Sequence, residues 1–71
     1  MTKNESYRFH MELINEKYPN KSLLNIKDVA NIIGVSTKTI RRRIAEGKIA
    51  AKKCGNSYSI SKVNLVNYMR G

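Results

Sequence analysis

Cations crowd the middle of this chain, with Lys38, Arg41, Arg42 and Arg43 in one short stretch and Lys52 and Lys53 following soon after. A guanidinium presents several N–H donors in a rigid fork that suits phosphate or the paired acceptors of a guanine edge, whereas an ammonium acts as a mobile point charge. Ser36, Thr37 and Thr39 beside the first group, and Asn56, Ser57 and Tyr58 beside the second, add shorter hydrogen-bonding groups. This is the chemistry of gripping an anion. Acid–base or nucleophilic catalysis has little to work with, because there are five acidic residues and one histidine, and no carboxylate pair, nucleophile with base or Gly-rich phosphate loop. The chain therefore reads as a binding protein, not an enzyme. Cys54 is the only cysteine and His10 the only histidine, so no internal disulfide, metal cluster or cofactor is expected.

The charge balance agrees. The formal net charge is +9 and the pI about 10.1, a field that draws nucleic acid or anionic lipid. Residues 1–24 contribute only +1, with four cations against Glu5, Glu12 and Glu16, while residues 25–71 contribute +8, with ten cations against Asp28 and Glu46. The basic surface thus belongs to the C-terminal two thirds. A chain of 71 residues has room for one small core. The polar start, Met1 to Arg8, leads into no signal-peptide-like run, and no stretch approaches the roughly 18 apolar residues of a membrane span. A reducing cytoplasm is the expected setting.

The cations must be held by local structure, and its signals are clear. Tyr7, Met11, Ile14 and Tyr18 recur at helical spacing, so an amphipathic helix is expected from Glu5 to Tyr18, ended by Pro19 and Asn20. That stripe is expected to pack on the rest of the domain, with a protomer seam as the alternative. Asn25, Ser36 and Ser61 each look like a helix cap, flanked by an apolar residue before and another four positions after: Leu24 and Val29, Val35 and Ile40, Ile60 and Leu65. Gly34 lets the chain leave one helix and enter the next within three residues, which makes a helix-turn-helix. The second of these helices is expected from about Thr37 to Glu46, stopping at Gly47. Ile49 and Ala51, then Tyr58 and Ile60, alternate around Cys54 to Ser57 and predict a short β-hairpin. Leu65, Val66 and Met69 of the last helix are expected to close the core.

With Ile40 and Ile44 inward, the helical period turns Lys38, Arg42 and Ala45 outward, with Thr39, Arg41 and Glu46 flanking. Arg43 falls nearer the core edge and is assigned to a phosphate. Alone, Arg41 to Arg43 in a last turn would equally suit a solvated face complementing the helix dipole. Following a helix-turn-helix and preceding a hairpin with Lys52 and Lys53, they read instead as the base- and phosphate-contacting face of a major-groove helix.

Leu24-Asn25-Ile26-Lys27-Asp28-Val29-Ala30-Asn31-Ile32-Ile33-Gly34-Val35-Ser36, followed by Thr39-Ile40, resembles the helix-turn-helix of the excisionase-type, MerR-like family. Glu46-Gly47-Lys48-Ile49-Ala50-Ala51, then Gly55, Tyr58, Ile60 and Leu65, resembles that family's stretch from recognition helix through wing to closing helix. The resemblance spans roughly residues 23–69 and implies an α+β, mostly helical winged helix-turn-helix with a small two-stranded wing, preceded by an extra N-terminal amphipathic helix. On this reading residues 1–20 are a helical extension and residues 21–71 the DNA-binding domain. DNA contacts are expected from Ser36, Thr37, Lys38, Thr39, Arg41, Arg42 and Arg43 on the recognition helix, and from Lys52, Lys53, Asn56, Ser57 and Tyr58 on the wing. Family wings often carry Arg where Asn56 and Ser57 stand, so wing contact here rests on the lysines. Cys54 takes a wing position that is usually apolar, which implies a small half-buried filler, and His10 is expected at the surface or an edge. MerR-like regulators continue into a dimerisation and effector region where this sequence ends at Gly71, so an effector-sensing regulator is not expected.

The resemblance implies double-stranded DNA as partner and a role as an excisionase or recombination directionality factor, binding cooperatively with copies of itself, bending its site and assisting an integrase. Such proteins are encoded by bacteria, phages and mobile elements and act on DNA in the cytoplasm, at the nucleoid. The first alternative is a small phage or mobile-element transcriptional repressor using the same surface. The second is a protein-interaction adaptor working through an exposed Tyr7, Met11, Ile14 and Tyr18 stripe.

Overall fold

The computed structural model describes residues 3–70, so Met1, Thr2 and Gly71, the outer limits of the two expected segments, lie outside the described residues. The element order is α1 (Lys3–Lys17), β1 (Leu23–Leu24), α2 (Ile26–Ile33), α3 (Thr37–Ala45), β2 (Lys52–Cys54), β3 (Ser57–Ser61) and α4 (Lys62–Met69). This is an α+β winged helix-turn-helix with an added N-terminal helix. No helix among the described residues is long and apolar enough to cross a membrane.

All three expected caps form. The Asn25 side chain accepts the Asp28 backbone N–H at 2.7 Å, and the Asp28 carboxylate accepts the Asn25 backbone N–H at 3.3 Å, a reciprocal capping box at the start of α2. Ser36 and Ser61 accept the N–H groups of Thr39 and Asn64. The residues before the caps and four after them are buried in two of the three cases, Leu24 with Val29 and Ile60 with Leu65, so each staple also sets how its helix enters the core. In the third, Ile40 is buried and Val35 packs half-buried against the core. Gly34 ends α2 at φ 85°, a left-handed conformation costing a side-chain-bearing residue about 1–2 kcal/mol. Its N–H and that of Val35 both reach the Ala30 carbonyl, which fixes the turn into α3.

One core serves every element but β2, whose three residues are exposed. Ile14 of α1 is fully buried together with Leu24, Ile26, Val29, Ala30, Ile40, Ile49, Ile60, Leu65 and Val66, and Tyr7, Met11 and Tyr18 pack against this cluster. The α1 stripe is therefore turned inward onto α4 and the core, as expected, with Ile14 buried and Tyr7, Met11 and Tyr18 half-buried, which leaves the adaptor alternative without the exposed stripe it requires. The helix itself runs from Lys3 to Lys17, starting earlier than the pattern predicted and stopping one residue sooner. Pro19 explains the stop, because it disfavours helical geometry for the residue before it. Lys62 of α4 then donates to the Tyr18 carbonyl at 2.6 Å and to Asn15 at 2.7 Å, satisfying acceptors at the end of α1.

The sheet is larger than the expected two-stranded wing. Its order is β1-β3-β2, all antiparallel, with Leu24 opposite Ile60 and Lys52 opposite Ser59. Strand β1 has only two residues, too few to show alternation. The hairpin turns through Gly55 and Asn56, with positive φ at Gly55 only, the pattern of a type II′ turn. Strand β2 begins at Lys52, so Ile49 reaches the core from the connection and not from a strand. Cys54 is exposed, which corrects the expectation of a half-buried filler: it pairs with exposed Ser57 beside the turn, on the face opposite the one by which Tyr58 packs on the core.

Candidate nucleic-acid interface

Helix α3 is bolted to the core through Ile40, fully buried, and through Ile44 at the edge of the cluster. That anchoring sets the opposite face. Lys38, Arg41 and Arg42 are exposed and make no hydrogen bond, ion pair or ring contact among the described residues, so their donors are free for an external anion. Thr37 is half-buried at the first turn. Ser36 and Thr39 are occupied differently: the Ser36 hydroxyl caps the helix and lies 3.0 Å from the Thr39 hydroxyl. One of the two hydroxyl protons is used between them, which leaves one for an outside acceptor.

Arg43 is not a free cation. It is half-buried, donates to the Tyr68 hydroxyl of α4, and holds its guanidinium carbon 5.8 Å from the centre of that ring. A stacked, hydrogen-bonded guanidinium loses rotamer freedom but keeps donors to spare. Nothing near Arg43 in sequence signals this partner, which stands 25 residues away.

On the wing, Lys52 and Lys53 are both exposed, but they lie on opposite faces of the hairpin, because neighbouring strand residues alternate. Lys53 pairs with Tyr58 and shares the side on which Tyr58 packs, half-buried, against the core, whereas Lys52 shares the outer side with Ser59 and Cys54. Asn56 and Ser57 are exposed at the tip. The two lysines, assigned alike to wing contact from the sequence, are therefore not equivalent.

Behind the helix-turn-helix, buried Asp28 is held charged. Burial raises its pKa, but the Lys21 ammonium at 2.9 Å, the Asn25 backbone N–H and the Tyr18 hydroxyl outweigh burial, and the net direction is below the usual 3.8. A persistent carboxylate at the start of α2 complements the positive end of that helix dipole.

The family description Helix-turn-helix domain matches residues 23–71, more than half of the chain. No curated protein and no solved structure matches it. A matched span that runs from β1 through α4, together with the observed α2-turn-α3 pair and its unpaired cationic face, places the chain in the helix-turn-helix domain family of DNA-binding proteins.

Proposed function

We propose that the protein is a sequence-specific double-stranded DNA-binding protein acting as an excisionase, a recombination directionality factor that binds and bends DNA to assist an integrase. The observation that carries the DNA-reading half is the unpaired face of Lys38, Arg41 and Arg42, set directly behind buried Ile40. In this reading α3 enters the major groove, Arg41 and Arg42 contact base edges, and Lys38, Arg43 and the free hydroxyl proton of Ser36 or Thr39 reach phosphates, with Thr37 packed at the groove wall. The hairpin lies along the flanking minor groove or backbone through Lys52, Lys53, Asn56 and Ser57, with Tyr58 bracing it. Residues 21–71 carry the contacts and residues 1–20 support them. The protein works on DNA inside a bacterial cell, encoded by the bacterium, a phage or a mobile element.

Bending follows from size. One winged module covers roughly 600–1,000 Å² of its own surface on DNA, little for tight solitary binding. Several copies on adjacent sites, helping one another, would repay a duplex deformation of about 1–6 kcal/mol. Gel-shift titration and circular-permutation bending on DNA flanking the gene test this. Successive cooperative complexes on bent DNA are expected. A single stoichiometric complex on straight DNA would overturn the excisionase role and favour a repressor that uses the same surface.

A further inference from the structure

A cleft opens beside the C-terminal end of α3, lined by Gly47, Lys48, Ala50, Asn64, Asn67 and Tyr68. Its walls come from two elements that the backbone holds together. The Lys48 N–H donates to the Arg43 carbonyl and the Gly47 N–H to the Ile44 carbonyl, a paired closure that fixes Lys48 against the last turn of α3. Across the cleft, Tyr68 holds the Arg43 side chain by its hydroxyl and its ring. The side-chain amides of Asn64 and Asn67 have no protein partner among the described residues.

The chemistry of this cleft is that of a donor set for one anion: an ammonium and two carboxamides line it, and the Arg43 guanidinium is tethered beside it through Tyr68. Lys48 has a side chain 64% exposed and its sole ion pair among the described residues is with Glu46, at 3.6 Å. An exposed pair of that length contributes little, so a phosphate can compete for the ammonium. Arg43 lies in the last turn of the helix whose outward face carries Arg41 and Arg42, and Lys48 is hydrogen-bonded to that turn just beyond its end, so an anion here would lie beside the groove that α3 enters.

We propose that this cleft seats one backbone phosphate of the bound duplex, which makes α4 part of the DNA interface. Lys48 supplies the charge and Asn67 a neutral donor. Tyr68 is a positioning residue that keeps the Arg43 guanidinium at the rim. The proposal rests on the DNA-binding reading of α3 and the wing, and extends it to an element that carries no cationic stripe of its own.

The test is binding of the full chain to a random-sequence duplex across a salt series, since a phosphate contact is independent of sequence. Lys48→Ala should flatten the salt slope by about one unit, and Asn67→Asp, which sets a carboxylate against the phosphate, should weaken binding about tenfold or more. Tyr68→Phe keeps the ring and its packing, and should weaken binding about two- to tenfold through the lost hydroxyl contact. Added to Arg43→Ala, it should have no further effect, because the hydroxyl acts through the guanidinium. Lys52→Ala serves as the wing reference. If it flattens the slope while Lys48→Ala and Asn67→Asp bind like the parent, the phosphate seat is wrong and the DNA reading stands. If Lys52→Ala also binds like the parent and the parent's own binding to the duplex does not weaken as salt rises, the DNA reading falls and takes the seat with it.

Discussion

Helices α1 and α3 are built alike on the inside and oppositely on the outside. Each buries isoleucine in the same core, Ile14 from α1 and Ile40 from α3. Outward, α3 shows Lys38, Arg41 and Arg42, while α1 shows Phe9 and Leu13, 49% and 41% exposed, with Glu12 and Glu16 on the same side by helical period. A duplex repels the α1 face and attracts the α3 face, so the outward charge, and not the helix itself, decides which of the two lies on DNA. The comparison also separates two meanings of an apolar residue. Ile14 is wholly buried in the fold, whereas Phe9 and Leu13 leave close to half of their surface in solvent.

The largest expected effects test the shared inside. Ile40→Ala and Ile14→Ala should each cost about 2–5 kcal/mol, a large share of the stability of so small a domain, and thermal or denaturant unfolding would show both. An Ile14 variant as stable as the parent would mean that α1 is an appendage and the likeness between the helices is false. Next comes the outside of α3. Arg41→Ala and Arg42→Ala should each weaken binding to a selected target by about 1–3 kcal/mol, narrow the preference over random DNA and leave unfolding unchanged.

A pH titration of stability probes the junction between α1 and α2. Because the Asp28 pKa is lowered in the folded state, its stabilising contribution is present above the unfolded value near 3.8 and is lost as pH falls through the folded value. Asp28→Asn should remove that acid-side loss, as read by unfolding curves from neutral to acid pH; an unchanged acid limb would deny the carboxylate its role. The smallest effects belong to the outside of α1. Phe9→Gln and Leu13→Gln should change stability by no more than about 0.5 kcal/mol. A loss comparable with that of Ile14→Ala would show that this face is buried in the working protein.

Much of the architecture was legible because it is local. Asn25, Ser36 and Ser61 act on N–H groups three residues ahead, Gly34 on a carbonyl four residues back, and Gly55 on its own turn, so neighbouring letters suffice to read them. The outward face of α3 was legible for the same reason, since one helical period and two inward isoleucines orient Lys38 and Arg42. The wing was read less well. Alternation suggested a strand from Ile49, but no partner strand extends that far, and Cys54 falls on the hairpin face opposite the one that packs on the core.

By itself, then, the sequence determined the helices, their caps, the turn between α2 and α3 and the concentration of positive charge. Tertiary structure decided what those pieces meet. The pairing of Leu23 with Ser61, the tether from Lys62 to the Tyr18 carbonyl and the capture of Arg43 by Tyr68 join residues between 25 and 44 positions apart. Capping and periodicity are settled within one helical turn, where chain geometry fixes the distance between groups. These longer contacts exist only after hydrophobic burial has placed α1, α3, α4 and the sheet around one core, and no local spacing encodes that placement.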